Sequence, residues 1–110
     1  MAYDEDLADR IRELVRDEAG VTEKKMFGGL AFLIGGNLAV AASGSGGLMI
    51  RVDPALSNSL VTETSARLVE MRGRQMSGWL RIGAEGALVG SELARWVELG
   101  TSYARSLPAK

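Results

Sequence analysis

Apolar residues recur at helical spacing near the start of the chain. Leu7, Ile11, Leu14 and Val15, with Tyr3 and Ala8 on the same side, form one face over residues 4–18, and charged residues fill the other. Acids crowd the first turn, where the positive end of a helix dipole favours them, and Gly20 follows as a stop. From Met26 the period changes. Met26–Ile34, Leu38–Ala42 and Leu48–Val52 are short apolar runs separated by Gly35-Gly36-Asn37 and by Ser43–Gly47, so they read as three strands joined by tight turns. Their near-continuous apolar character implies a sheet covered over much of both faces, by helices or by another subunit.

Asp53-Pro54 then has the form of a helix start, with Asp as N-cap and Pro in the first turn. Leu56 and Leu60 supply the inner face of that helix, and Thr62–Ser65 ends it. Arg67–Met71 and Gly78–Ile82 form a second hairpin around Arg72-Gly73-Arg74, and Gly83–Gly90 reads as a loop. Ser91 caps a last helix whose inner stripe is Leu93, Trp96, Val97, Gly100, Tyr103, Ala104 and Leu107, closed by Pro108. Gly100 lies within that stripe, where a close backbone approach accounts for it better than a break. The predicted order is α-βββ-α-ββ-α. It describes an α+β two-layer sandwich with a five-stranded antiparallel sheet and helices, in one domain over residues 1–110.

Composition narrows the chemistry more than the fold. The chain of 110 residues has 46% hydrophobic and 25% charged residues, a formal net charge of −1, and neither histidine nor cysteine. Lack of cysteine excludes disulfides, thiolate nucleophiles and zinc–thiolate or iron–sulfur sites. Lack of histidine excludes imidazole general bases and the relays built on them. Charge is uneven: residues 1–23 carry eight acids against Arg10, Arg12 and Arg16, and the remainder carries ten basic residues against six acidic. The sequence pI of about 5.4 lacks the basic footprint of a stand-alone DNA-binding domain. The acid-rich start does not resemble an export signal, and seven glycines break the uncharged stretch Met26–Ile50 into pieces too short for a spanning helix. No membrane association is expected.

The glycine-rich stretches fail as phosphate loops. No glycine precedes Lys-Ser or Lys-Thr, and Gly44-Ser45-Gly46-Gly47 leads into a strand, not a helix N-terminus. Asp4, Glu5, Asp6 and Asp9 sit on an exposed first turn, and Glu70 and Glu85 are isolated in sequence, so no convergent carboxylate pair is visible. No metal site and no cofactor are expected. The distinctive chemistry lies in Lys24-Lys25-Met26-Phe27-Gly28-Gly29 and in Arg72-Gly73-Arg74-Gln75-Met76-Ser77-Gly78-Trp79, each of which sets cations beside glycines and an aromatic ring. In one reading Lys24, Lys25, Arg72 and Arg74 converge as an anion or acidic-partner site, with Trp79 or Phe27 available for stacking. In the plainer reading Phe27 and Trp79 belong to the core, the glycines make turns or bulges, and the cations are solvated.

Those two stretches, with Phe32 after the first and Met71 before the second, resemble the signatures of the TfoX (Sxy) N-terminal domain family. Met1-Ala2-Tyr3-Asp4-Glu5 and Ala104-Arg105-Ser106-Leu107-Pro108 are similar to family sequence as well. The resemblance covers essentially the whole chain and contains no catalytic signature. It implies a secretion-chaperone-like α+β domain, a cytoplasmic location and the setting of bacterial competence regulators, which act as coactivators with the cyclic-AMP receptor protein. Full-length TfoX proteins add a C-terminal domain, and the chain is expected to be a stand-alone member that lacks it. Met26, Phe27, Gly28, Gly29, Gly73, Gly78 and Trp79 map onto the signatures as structural or partner-contact positions. The expected function is therefore a non-enzymatic regulatory or protein-interaction module. Its expected partners are proteins, transcriptional machinery among them, and a second copy of the chain as a homodimer. An anion or nucleic-acid contact domain built on Lys24, Lys25, Arg72 and Arg74 is the alternative.

Overall fold

The computed structural model describes residues 5–26, 28–44, 47–64, 66–83 and 90–109. The elements run α1 (Glu5–Leu14), β1 (Val21–Met26), β2 (Gly29–Ile34), β3 (Asn37–Ala42), β4 (Leu48–Arg51), α2 (Pro54–Glu63), β5 (Arg67–Met71), β6 (Arg74–Ile82) and α3 (Gly90–Ser106). All neighbouring strands pair antiparallel in one sheet of order β1-β2-β3-β4-β6-β5. Among the described residues the sheet thus has six strands, not five, and the element order is α-ββββ-α-ββ-α.

The added strand is β1. Its sequence, Val-Thr-Glu-Lys-Lys-Met, has no apolar run, and Thr22 to Lys25 are all exposed. It is an edge strand, held by backbone pairing to β2 from Val21↔Ile34 to Met26↔Gly29. Charged residues suit such an edge because they discourage pairing with another chain. Gly28, at φ +74°, lies in the turn that separates β1 from β2 inside what reads as a single run. Of the expected loop Gly83–Gly90, residues 84–89 lie outside the described residues.

Elsewhere local chemistry decides most elements as expected, but Leu14 and Leu56, read as inner-face residues, are 45% and 47% exposed, and Ser91 lies inside the last helix, which starts at Gly90, rather than capping it. Asp53 Oδ1 accepts the Ala55 N–H at 2.9 Å, capping α2. Gly35 (φ +60°) and Gly36 (φ +86°) form the two-residue turn between β2 and β3, which needs positive φ at both positions. The first helix is shorter than its periodicity suggests: after Leu14 the chain turns, with Glu18 N–H bonded to Val15 O, yet Val15 stays buried.

Cross-strand register sorts the sheet into two faces. Phe32, Val40, Ile50, Leu80 and Leu68 lie opposite one another in one row, and Leu30, Ala42, Leu48 and Ile82 in the next. These residues pack with Leu7 and Ile11 of α1, with Leu60 and Val61 of α2, and with Leu93, Trp96, Val97 and Ala104 of α3. All three described helices therefore cover one face. Gly100 of α3 lies so close to β3 that a Cβ there would stand 2.2 Å from the Ala39 carbonyl oxygen. A second, smaller cluster of Ala31, Leu38, Ala41, Met49 and Val69, with Met26, Leu33 and Trp79 against it, occupies the other face and contains no described helix residue. Among the described residues no helix is long and apolar enough to cross a membrane.

Candidate functional site

The second signature stretch is the β5–β6 hairpin. Met71 pairs with Arg74, so Arg72 and Gly73 are the two turn residues, at φ +54° and +78°. Further along, the register jumps from Val69↔Met76 to Leu68↔Leu80, so Ser77, Gly78 and Trp79 form a bulge on β6. Gly78 makes that bulge possible. Its φ is +86°, its carbonyl accepts the Val52 N–H at 2.7 Å, and a Cβ would stand 2.9 Å from Val52 O and 3.1 Å from Pro54 Cγ. The glycine thus lets the end of β4 and the start of α2 pass against β6. Trp79, half-buried, sits opposite Arg51 in the register. The Arg51 guanidinium lies 5.2 Å from the centre of the Trp79 ring and 5.7 Å from that of Tyr103 on α3. This cation–π bridge ties the last helix to the signature strand.

The first signature stretch is β1 and its turn into β2. Lys24 lies opposite Ala31 and Lys25 opposite Leu30, so the two lysines stand on opposite faces of the sheet, both exposed. Met26 is half-buried, and Phe27 lies outside the described residues. Gly29 is buried where a Cβ would stand 2.0 Å from Ala42 O, which only glycine tolerates. The structure does not bring the two cationic stretches onto neighbouring strands. β1 and the β5–β6 pair lie at opposite ends of the sheet, with β2, β3 and β4 between them. Lys25 stands on the helix-covered face and Arg72 in the hairpin turn, whereas Lys24 and Arg74 belong by register to the other face, with Ala31 and Val69 respectively.

Two further cations join that helix-free face. Arg81 lies opposite Met49 on one side and Arg67 on the other. The alternation of Trp79 and Arg81 with buried Leu80 and Ile82 was the available signal for Arg81, but its pairing with Arg67 depends on a register that only the folded sheet displays. Among the described residues, Lys24, Lys25, Arg67, Arg72, Arg74 and Arg81 enter no ion pair. Of the arginines in the helical layer, Arg10 pairs with Asp6, Arg12 with Asp9 and Glu23, Arg16 with Glu13, and Arg105 with Glu18. Arg12 grips Glu23 of β1 with two bonds, Nε to Oε2 at 2.6 Å and Nη2 to Oε1 at 2.9 Å, while its guanidinium lies 5.9 Å from the centre of the Phe32 ring. Those bonds hold the Glu23 carboxyl below the usual range and raise the Arg12 pKa.

Among the described residues no three carboxylates gather into a metal site. The arrangement offers contact surfaces: an acidic, internally paired helical layer and a strand face with unpaired cations. Neither a curated protein nor a solved structure shows significant similarity to the chain. The family model of the TfoX N-terminal domain matches residues 13–104, a span that takes in both signature stretches and every strand of the sheet. The chain belongs to the TfoX N-terminal domain family.

Proposed function

We propose that this domain is a non-enzymatic regulatory module of the competence-regulator type, working in the cytoplasm through contacts with proteins, transcriptional machinery among them, and with a second copy of itself. The family match over residues 13–104 carries this reading. The composition supports it, because a chain without histidine or cysteine has few groups suited to acid–base or nucleophilic chemistry near neutral pH. It is further supported by the use of the signature glycines: Gly29 and Gly78 are required by packing, which leaves exposed side chains on the same strands available for partners. The test pairs sedimentation of the purified protein with binding to purified cyclic-AMP receptor protein and RNA polymerase. Concentration-dependent self-association and retention of one of those proteins are expected. A strict monomer that retains neither overturns the proposal.

A second reading is supported by the unpaired, exposed state of Lys24, Lys25, Arg72 and Arg74 among the described residues: an anion-contact domain. Because the two pairs lie at opposite ends of the sheet, such a contact would have to be extended rather than a single pocket.

A further inference from the structure

One row of the sheet can be followed across all six strands. Lys24 of β1 lies opposite Ala31 of β2, then come Ala41 of β3, Met49 of β4, Arg81 of β6 and Arg67 of β5. The row is on the face against which no described helix packs, and Arg74 stands on the same face beyond the β6 bulge, by its register through Met71 and Val69. Its centre is apolar and low: Ala31, Ala41 and Met49 are each no more than 3% exposed, packed beneath Met26, Leu33 and Trp79. Its ends are cationic and exposed. Among the described strand residues, register places no carboxylate on this face. Glu23 and Glu70 both stand with the helix-covered side, opposite Phe32 and next to Leu68 respectively.

We infer that this face is a binding platform for single-stranded nucleic acid, with Lys24, Arg67, Arg74 and Arg81 as its phosphate contacts. This rests on the anion-contact reading and specifies its residues: Lys24 and Arg74 belong to the platform, Lys25 and Arg72 do not, and Arg67 and Arg81 join it. Three physical arguments favour this ligand. A row of five interstrand steps is about 24 Å long on an untwisted sheet, the reach of several nucleotides and not of an isolated anion. Three of the four cations are arginines, whose planar forks meet phosphate oxygens two at a time. Half-buried Met26, Leu33 and Trp79 cover the apolar middle of this face, and Trp79 supplies the aromatic ring on which single-strand binders stack a base while the backbone is drawn to the charges. The acidic helical layer on the opposite side would repel a polyanion, so binding is confined to one face. Arg67 and Arg81 also face each other as like charges across a strand pair, a destabilising arrangement that a bound phosphate relieves.

The experiment is fluorescence anisotropy of a labelled oligo-dT with the full chain, titrated over a range of salt. Binding at low salt is expected to weaken with a log–log slope of about −3, from roughly −0.7 per phosphate contact on a single strand. The double variant Arg67→Gln/Arg81→Gln is expected to reduce that slope by about 1.4 and to weaken low-salt binding about tenfold. It remains folded, because it removes a repulsion, and its thermal midpoint checks this. Lys25→Gln/Arg72→Gln is expected to leave slope and affinity unchanged. If that second pair abolishes binding while the first does not, the platform is wrong and the general anion-contact reading survives. If no binding occurs at low salt, both fall. Displacement of the oligonucleotide by poly-glutamate at equal charge overturns the nucleic-acid assignment in favour of an acidic protein segment.

Discussion

Arg72 holds the least comfortable backbone of the described non-glycine residues. It is the one among them with positive φ, at +54°, imposed by a two-residue hairpin turn. A left-handed conformation costs an L-residue with a Cβ about 1–2 kcal/mol, and asparagine tolerates it better because its side chain bonds locally. Arg72→Asn is therefore expected to stabilise the fold by about 0.5–1 kcal/mol in chemical denaturation. Arg72 enters no ion pair among the described residues, so none is lost. Glycines show how far single residues were legible. The placement of Gly35 and Gly36 in a turn was readable from their neighbours alone. For Gly100 the sequence indicated a close approach, but that its neighbour is the Ala39 carbonyl is a fact of the folded state.

Between elements, α1 is tied to β1 through an arginine. Arg12 collects Asp9 of its own helix, Glu23 of the edge strand and the Phe32 ring of the next strand. An edge strand with no buried row of its own is anchored by the ladder to β2, by half-buried Val21 and Met26 at its ends, and by this guanidinium. Glu23 is partly exposed, so the pair is worth about 0.5–1 kcal/mol, the upper part of the range for surface pairs. The Glu23 pKa is lower in the folded state than in the unfolded chain. The pair's contribution is thus fully present above the unfolded value, about 4.3 for a free glutamate, and disappears as pH falls through the lowered folded value. Glu23→Gln should cost about 0.5–1 kcal/mol at about pH 7 and nothing at about pH 2, compared by urea denaturation. The missed strand has the same origin. Pattern reading finds strands by what they bury, and β1 buries almost nothing; its pairing partner made it a strand.

Over the whole molecule, the two faces of the sheet differ in kind. The helix-covered face holds the larger cluster, with Phe32, Leu48, Ile50, Leu80 and Ile82 all at or below 1% exposure, whereas the other face has a smaller one of Ala31, Leu38, Ala41, Met49 and Val69 with half-covered Met26, Leu33 and Trp79 against it. Phe32→Ala should cost about 3–5 kcal/mol, as expected for an aromatic lost from a packed centre. Leu33→Ala, one residue on and half-buried on the other face, should cost less than half of that, measured in the same denaturation series. Equal losses would mean that the second face is as tightly packed as the first. Charge follows a similar division among the described residues: the ion pairs lie with the helices, and Lys24, Arg67, Arg74 and Arg81 stand unpaired on the other face. A net charge of −1 conceals this separation, because totals carry no information about sides.

By itself the sequence determined the class of fold, the three described helices, five of the six described strands, the Gly35-Gly36 and Arg72-Gly73 turns and the family, because these follow from periodicity, from caps and from glycines whose need is local. It also determined which catalytic chemistries are closed to the chain, since residues that are absent cannot be supplied by folding. The tertiary structure alone decided the rest. Strand order separated Lys24 and Lys25 from Arg72 and Arg74, and register divided each pair between faces and turn while setting Arg81 against Arg67. Those are consequences of long-range backbone pairing, in which a strand's neighbour is chosen by the energy of the whole sheet and not by its own residues.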